Sequence, residues 1–209
     1  MSIKVKICGI TNLEDASFAI ESGADALGFV FYEKSSRYCS PEEAFKISKK
    51  LPPFVTIVGL FVNAQKEYIK KILAMNFLSA IQFHGEESAD FCEQFKFPYL
   101  KTIGVNTELD LLQYSKEFSQ AKAFLLDNFD PLQKGGTGKL FDWNLLKNIN
   151  TIKPLIIAGG LNSENVTSLF NIYTPYAVDV SGGVESAIKG KKDKLKLNKF
   201  ISVVKNGKI

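Results

Sequence analysis

The chain has 209 residues, 45% of them apolar and 23% charged, with a formal net charge of +4. That content can bury one substantial core, and no tract outside the two ends is polar or low-complexity enough to resist ordering, which excludes a disordered chain. No run approaches the roughly 18 consecutive apolar residues of a spanning helix, and the opening MSIKVKICGI lacks an apolar secretory core, so a cytoplasmic protein with no membrane partner is expected.

Taken in chain order, a β-rich run at residues 5–9 precedes a helical pattern near 13–22. Thr11 or Asn12 can cap that helix, Glu14 and Asp15 stand in its first turn, and Gly23 follows where a left-handed residue often ends a helix. A strand at 26–31 and a helix near 41–50 come next, the helix opened by Ser40-Pro41-Glu42-Glu43. Strands at 56–62, 80–83, 99–103, 123–127, 155–158 and 177–180 then alternate with helices near 65–75, 88–95, 108–118, 143–149, 163–170 and 194–204. Eight such units call for an α/β fold, a parallel sheet with crossover helices, and within residues 1–209 they leave no room for a second domain. An open doubly wound sheet seldom needs eight equal units, and GxGxxG is missing from the first strand–helix turn. A single closed (β/α)8 TIM barrel is therefore expected.

Functional groups of such a barrel sit at the C-terminal strand ends and in the loops that follow. Alternation puts Val5 and Ile7 on one face of the first strand and Lys6 and Cys8 on the other. The apolar pair belongs against the helices, so Lys6 and Cys8 point into the barrel with Cys8 at its mouth. The same reasoning sends Phe124 and Leu126 of the sixth strand outward and Ala123, Leu125 and Asp127 inward. A thiol and a carboxylate thus reach one mouth from strands one and six, a pairing suited to base and acid. Each alone has a plainer reading: a buried cysteine is commonly a small hydrophobe, and an aspartate at a strand end commonly caps a loop.

Strand seven ends in Ala158-Gly159-Gly160-Leu161 and strand eight in Asp179-Val180-Ser181-Gly182-Gly183-Val184. The backbone around Gly159, Gly160, Ser181, Gly182 and Gly183 is a candidate cradle for a phosphorylated small molecule, the alternative being two ordinary tight turns. Arg37 closes the segment Tyr32-Glu33-Lys34-Ser35-Ser36-Arg37 after strand two; it can clamp a substrate carboxylate in a planar fork, or serve only as surface charge. Gln82 and His84, the sole histidine, share the inward face of strand four, and with Asp179 they complete the candidate substrate-binding residues. One histidine and three irregularly spaced cysteines, Cys8, Cys39 and Cys92, suit neither a zinc site nor a disulfide framework, so free thiols and no metal are expected. The basic run Lys189-Gly190-Lys191-Lys192-Asp193-Lys194 lacks interleaved aromatics and any accompanying DNA-binding pattern. It reads as a solvated loop leading into the last helix, with no nucleic-acid partner.

Read together, Lys6-Ile7-Cys8-Gly9-Ile10-Thr11, Lys34-Ser35-Ser36-Arg37, Gln82-Phe83-His84-Gly85, Leu126-Asp127, Gly135-Gly136-Thr137-Gly138, Ala158-Gly159-Gly160-Leu161 and Asp179-Val180-Ser181-Gly182-Gly183-Val184-Glu185 closely resemble the phosphoribosylanthranilate isomerase family, collinearly over nearly the whole chain. The resemblance implies an Amadori rearrangement in tryptophan biosynthesis, without cofactor or metal, of N-(5-phosphoribosyl)anthranilate to the carboxyphenylamino-deoxyribulose phosphate. It makes Cys8 the base and Asp127 the acid, and it has Arg37 hold the anthranilate carboxylate. Ser36 stands where proline is common and Gly182 where a second serine is common, which leaves open whether Ser181 or backbone groups alone bind the phosphate. A monomer or a homodimer is equally consistent with it.

The chemistry asks both groups for their less common state at neutral pH, because reference values are about 8.5 for cysteine and about 3.9 for aspartate. Lys6 is a natural means of lowering the cysteine; alternatively it pairs with Asp179, which lies at the same level on the neighbouring strand eight. Of the rival barrels, a metal-dependent sugar-phosphate epimerase would want several strand-end histidines. The aminoaldose isomerase of histidine synthesis would want an aspartate where Cys8 stands. An idle binding barrel is opposed by the presence of Cys8, Asp127 and Arg37 together.

Overall fold

The computed structural model describes residues 2–105, 110–128, 140–147 and 149–207. Each of the eight β-rich runs forms a strand: β1 Lys4–Cys8, β2 Ala26–Val30, β3 Thr56–Phe61, β4 Ala80–Phe83, β5 Tyr99–Val105, β6 Ala123–Asn128, β7 Leu155–Ile157 and β8 Ala177–Val180. Every strand pairs in parallel with its successor, and β8 returns to β1, closing the barrel. The register sets Lys6 opposite Asp179 and Cys8 opposite Gly28, the first of these as strand alternation anticipates.

Side-chain alternation divides the core into an outer shell and a filled interior. Val5, Ile7, Leu27, Phe29, Phe124 and Leu126 face outward into one continuous apolar layer with the helices. Each such fully buried side chain contributes about 1.5–3 kcal/mol relative to exposure. Inside, Leu100, Ala123, Leu125, Ile156, Ala158 and Ala177 form an apolar floor, and Cys8, Val30, Leu60 and Val62 a second group at the mouth. Buried Lys6, Asp179, Gln82 and Thr102 form a polar layer between them. The alternation requires this order, since Thr102 and Asp179 lie one inward step above Leu100 and Ala177, and Lys6 one step below Cys8.

Most of the helices begin where side-chain oxygens accept the orphan N–H groups of a first turn. Asn12, not Thr11, caps α1 (Leu13–Glu21), accepting from the Asp15 N–H at 2.8 Å, and Gly23 follows at φ +103°. Ser40 caps α2 (Pro41–Ser48) with proline in its first turn. Helix α3 (Lys66–Leu73) has no side-chain cap, whereas Ser88 and Asp110 cap α4 (Ala89–Glu93) and α5 (Leu111–Glu117). Helix α6 is Val166–Phe170, and Asp193 caps α7 (Lys194–Asn206).

One expected helix is different. Among the described residues of 143–149 the helical element is a 3₁₀ turn, Trp143–Leu146, capped by Asp142. Its buried residues, Trp143 and Leu146, are three apart, a spacing that one 3₁₀ turn satisfies without a longer helix. The Gly135-Gly136-Thr137-Gly138 motif lies outside the described residues. Among the described residues no helix is long and apolar enough to cross a membrane.

Candidate active site

A cavity of about 770 Å³ opens at the C-terminal strand ends, bordered by all eleven residues singled out from sequence: Cys8, Arg37, Gln82, His84, Asp127, Gly159, Gly160, Asp179, Ser181, Gly182 and Gly183. Cys8 ends β1 and is buried. Its room comes from Gly28 across the ladder, where a Cβ would stand 3.0 Å from both the Cys8 Sγ and the Lys6 Nζ. Lys6 does both things open to it. Its Nζ donates to the Asp179 carboxylate at 2.9 Å in a buried ion pair, and it also draws the Cys8 thiol down through charge and a hydrogen bond. Burial outweighs that pull and, with Asp179, holds the Cys8 pKa above its ordinary value, although Lys6 and Lys192 oppose the rise. The lowering that a resting thiolate would need is therefore not the net result, because desolvation of the charged form is the largest influence.

Asp127 has moved in the direction an acid needs. Burial, reinforced by the Asp179 charge, pushes its carboxyl up to about 6 against the opposing Asn128 N–H and Lys6. That N–H donates to Oδ1 at 2.8 Å, and the His84 Nε2 stands 3.6 Å from Oδ2. Gln82 holds the imidazole from behind, its Nε2 lying 3.0 Å from the His84 Nδ1 and 3.2 Å from the Thr102 Oγ1. The turn after His84 is pinned by buried Glu87, whose carboxylate accepts from the Gly85 N–H, the Asn63 N–H and the Lys101 ammonium at 2.7–2.9 Å.

Directly beside Asp127, at the end of neighbouring β7, Gly159 and Gly160 adopt φ +80° and +64°, left-handed values that a side chain would strain. A Cβ on Gly183 would fall 1.9 Å from the Leu161 carbonyl oxygen, so the two turns interlock at a distance only glycine permits. Among the described residues the backbone N–H groups of Gly159, Gly160, Gly182 and Gly183 have no protein acceptor. Converging unpaired donors of this kind accept an anion.

Three contributors were not singled out by sequence. Glu185 was part of a quoted motif without a role, yet it grips Arg37 in a fork, accepting from Nε at 2.6 Å and from Nη2 at 2.9 Å. Lys192 belongs to the run expected to be solvated, and that expectation fails. The residue is buried, its Nζ donating to the Cys8 carbonyl at 2.7 Å and the Ser181 carbonyl at 3.3 Å, and pairing with Glu185 at 3.3 Å. A lysine run has no periodicity to mark its inward member. Gly28 sits in an unremarkable strand, and only the register reveals its function.

A closed barrel whose mouth gathers titratable groups and free backbone donors above an apolar floor is the scaffold of enzymes that rearrange phosphorylated small molecules by proton transfer. Residues 5–203 match the family described as N-(5'phosphoribosyl)anthranilate (PRA) isomerase. The chain is 49% identical over 201 residues, 96% of each protein, to N-(5'-phosphoribosyl)anthranilate isomerase of Nitrosospira multiformis. Crystal phosphoribosyl anthranilate isomerase from Thermotoga maritima superposes with a TM-score of 0.86 at 46% identity, covering 98% of this chain and 99% of that one. A phosphoribosyl anthranilate isomerase in complex with reduced 1-(o-carboxyphenylamino)-1-deoxyribulose 5-phosphate does so with a TM-score of 0.83 at 43% identity, over 99% and 100%. The chain belongs to the N-(5'-phosphoribosyl)anthranilate isomerase family and is an enzyme of the aldose–ketose isomerase type.

Proposed function

We propose that the chain converts N-(5'-phosphoribosyl)anthranilate to 1-(2-carboxyphenylamino)-1-deoxyribulose 5-phosphate, the Amadori step of tryptophan biosynthesis, with Asp127 as acid and Cys8 as base. The observation that carries the assignment of roles is the meeting of these two groups, from β6 and β1, in one cavity. Asp127, held near 6 by burial, retains a proton over part of the neutral range and delivers it to the ribose ring oxygen. Ring opening leaves a protonated imine whose neighbouring C2′–H is acidic. The Cys8 thiolate, stabilised by the charges of Lys6 and Lys192, removes that proton. The resulting enolamine gains a proton at C1′ and loses one from the C2′ hydroxyl, giving the ketone with no net change of atoms or electrons.

Binding falls to other residues. The glycine turns at 159–160 and 181–183 receive the phosphate, and Arg37 receives the anthranilate carboxylate through N–H groups that Glu185 does not use. Gln82, His84 and Asp179 line the sugar's path between them. The same reading has residues 1–209 as one catalytic domain, acting in the cytoplasm as a monomer or homodimer. The test is the fluorescence-monitored loss of freshly made phosphoribosylanthranilate with purified protein. Turnover that Cys8→Ala and Asp127→Asn each lower by orders of magnitude is expected, and wild-type protein without turnover would overturn the proposal.

A further inference from the structure

Arg37 is placed by elements far from it in sequence. Its stem crosses two glycines at the mouth: a Cβ on Gly9 would stand 2.7 Å from the Arg37 Cδ, and one on Gly182 3.2 Å from Nη2. Those glycines give the side chain room without holding it. What holds it is Glu185, whose two oxygens take the Nε and Nη2 edge at 2.6 and 2.9 Å and so fix the plane of the guanidinium.

Glu185 is itself fixed. It forms an antiparallel bridge with Lys192, whose Nζ lies 3.3 Å from Oε1. Lys192 is tied to the Cys8 carbonyl at 2.7 Å, the Ser181 carbonyl at 3.3 Å and, through its main-chain N–H, the Asp15 carboxylate at 2.9 Å. The guanidinium is thereby referenced to the main chain of the two strands that carry the base and the phosphate cradle. Electrostatics alone would not place a carboxylate here. A site for anions binds them more weakly with Glu185 present than without it, and its carboxylate offers a phosphate no donor.

We propose that Glu185, seated by Lys192, is a positioning residue that sets the plane of the Arg37 guanidinium and so gives the cavity its preference for a ligand bearing an aromatic carboxylate over one without it. The inference rests on the reading of Arg37 as the carboxylate clamp. It is tested by calorimetric affinities for reduced 1-(o-carboxyphenylamino)-1-deoxyribulose 5-phosphate and for its counterpart lacking the ring carboxylate. Wild-type protein, Glu185→Gln and Arg37→Met are compared, together with inorganic phosphate as a third ligand and the kinetics of each protein. Arg37→Met is expected to abolish the preference of the wild type. Glu185→Gln should cut that preference about 10- to 100-fold while binding phosphate as well as or better than wild type, with KM rising more than kcat falls. A merely structural role would weaken all three ligands together, and that result overturns the inference. Preference retained in Glu185→Gln but lost in Arg37→Met overturns it alone. Preference absent from the wild type or retained in Arg37→Met overturns the reading of Arg37 with it. If Glu185→Gln fails to fold, Glu185→Asp decides: it keeps the counterion of Lys192 but withdraws the fork by one methylene, and it must show the same selective loss.

Discussion

Replacing Asp127 with asparagine should make the protein more stable at neutral pH while disabling it. The native carboxyl titrates near 6, and burial is the main cause; in the unfolded chain it titrates near 3.9. Between those values the folded protein binds a proton that the unfolded chain has released, so stability falls as pH rises through that window and stays lower above it. A difference of about two pKa units corresponds to about 3 kcal/mol at pH 7.5 and only about 1 kcal/mol at pH 4.5. The side chain is 14% exposed, so solvent screening leaves most of this effect in place. Asparagine carries no charge, fits the same space and can still accept the Asn128 N–H. Urea unfolding of both proteins at pH 7.5 and 4.5, alongside kcat, checks the reasoning. The expected result is a gain of about 3 kcal/mol that shrinks to about 1 kcal/mol in acid, with kcat lowered about 10²- to 10⁴-fold. Equal stability at pH 7.5, or a gain independent of pH, would refute it.

Cys8→Ala should lower kcat by about 10²- to 10⁴-fold, and Cys8→Ser should be badly impaired because a serine hydroxyl has no accessible anion at neutral pH; near-normal turnover in Cys8→Ala would move the base to His84 at the same mouth. Lys6→Met strands the buried Asp179 carboxylate and should cost about 3–5 kcal/mol in urea unfolding, while slowing iodoacetamide alkylation of Cys8 at fixed pH as the thiol loses its nearest cation. An unchanged midpoint would mean that the pair contributes nothing. Gly28→Ala places a methyl group 3.0 Å from both the Cys8 Sγ and the Lys6 Nζ, so a loss of about 1–3 kcal/mol and a fall in kcat are expected, whereas a wild-type kcat would show the space to be slack. Inorganic phosphate should compete with substrate, and purely noncompetitive inhibition would count against the glycine turns as its site.

The strands were legible because each is a short, largely apolar run whose alternation has a single sensible facing. Phe124 and Leu126 outside, with Leu125 and Asp127 inside, follow from period two alone. The pairing of Lys6 with Asp179 was legible for the same reason once closure was assumed. Helix lengths were less so, since the apolar spacing at 143–149 serves a 3₁₀ turn as well as an α-helix. What sequence could not supply was the partnership between distant loops. Arg37 meets Glu185 across 148 positions, and Lys192 turns inward from a run in which every lysine looks alike. The sign of the Cys8 shift was also out of reach, because it depends on how completely water is excluded rather than on which cation stands nearby.

The seam between β1 and β8 bears on how the molecule comes into being. Lys6 reaches Asp179 across 173 positions of chain and Lys192 reaches the Cys8 carbonyl across 184, so although β1 also pairs with nearby β2, the charged surroundings of Cys8 are completed only from the far end of the chain. Pairing of consecutive strands requires only modest loops, but this seam closes a loop nearly as long as the chain, and that entropy is offset only when the other seven pairings stand ready. During synthesis Cys8 has only β2 to pair with until β8 and the segment to Lys192 have left the ribosome. In refolding, catalytic competence should accordingly return with the slowest phase, after the circular dichroism has already recovered its native shape.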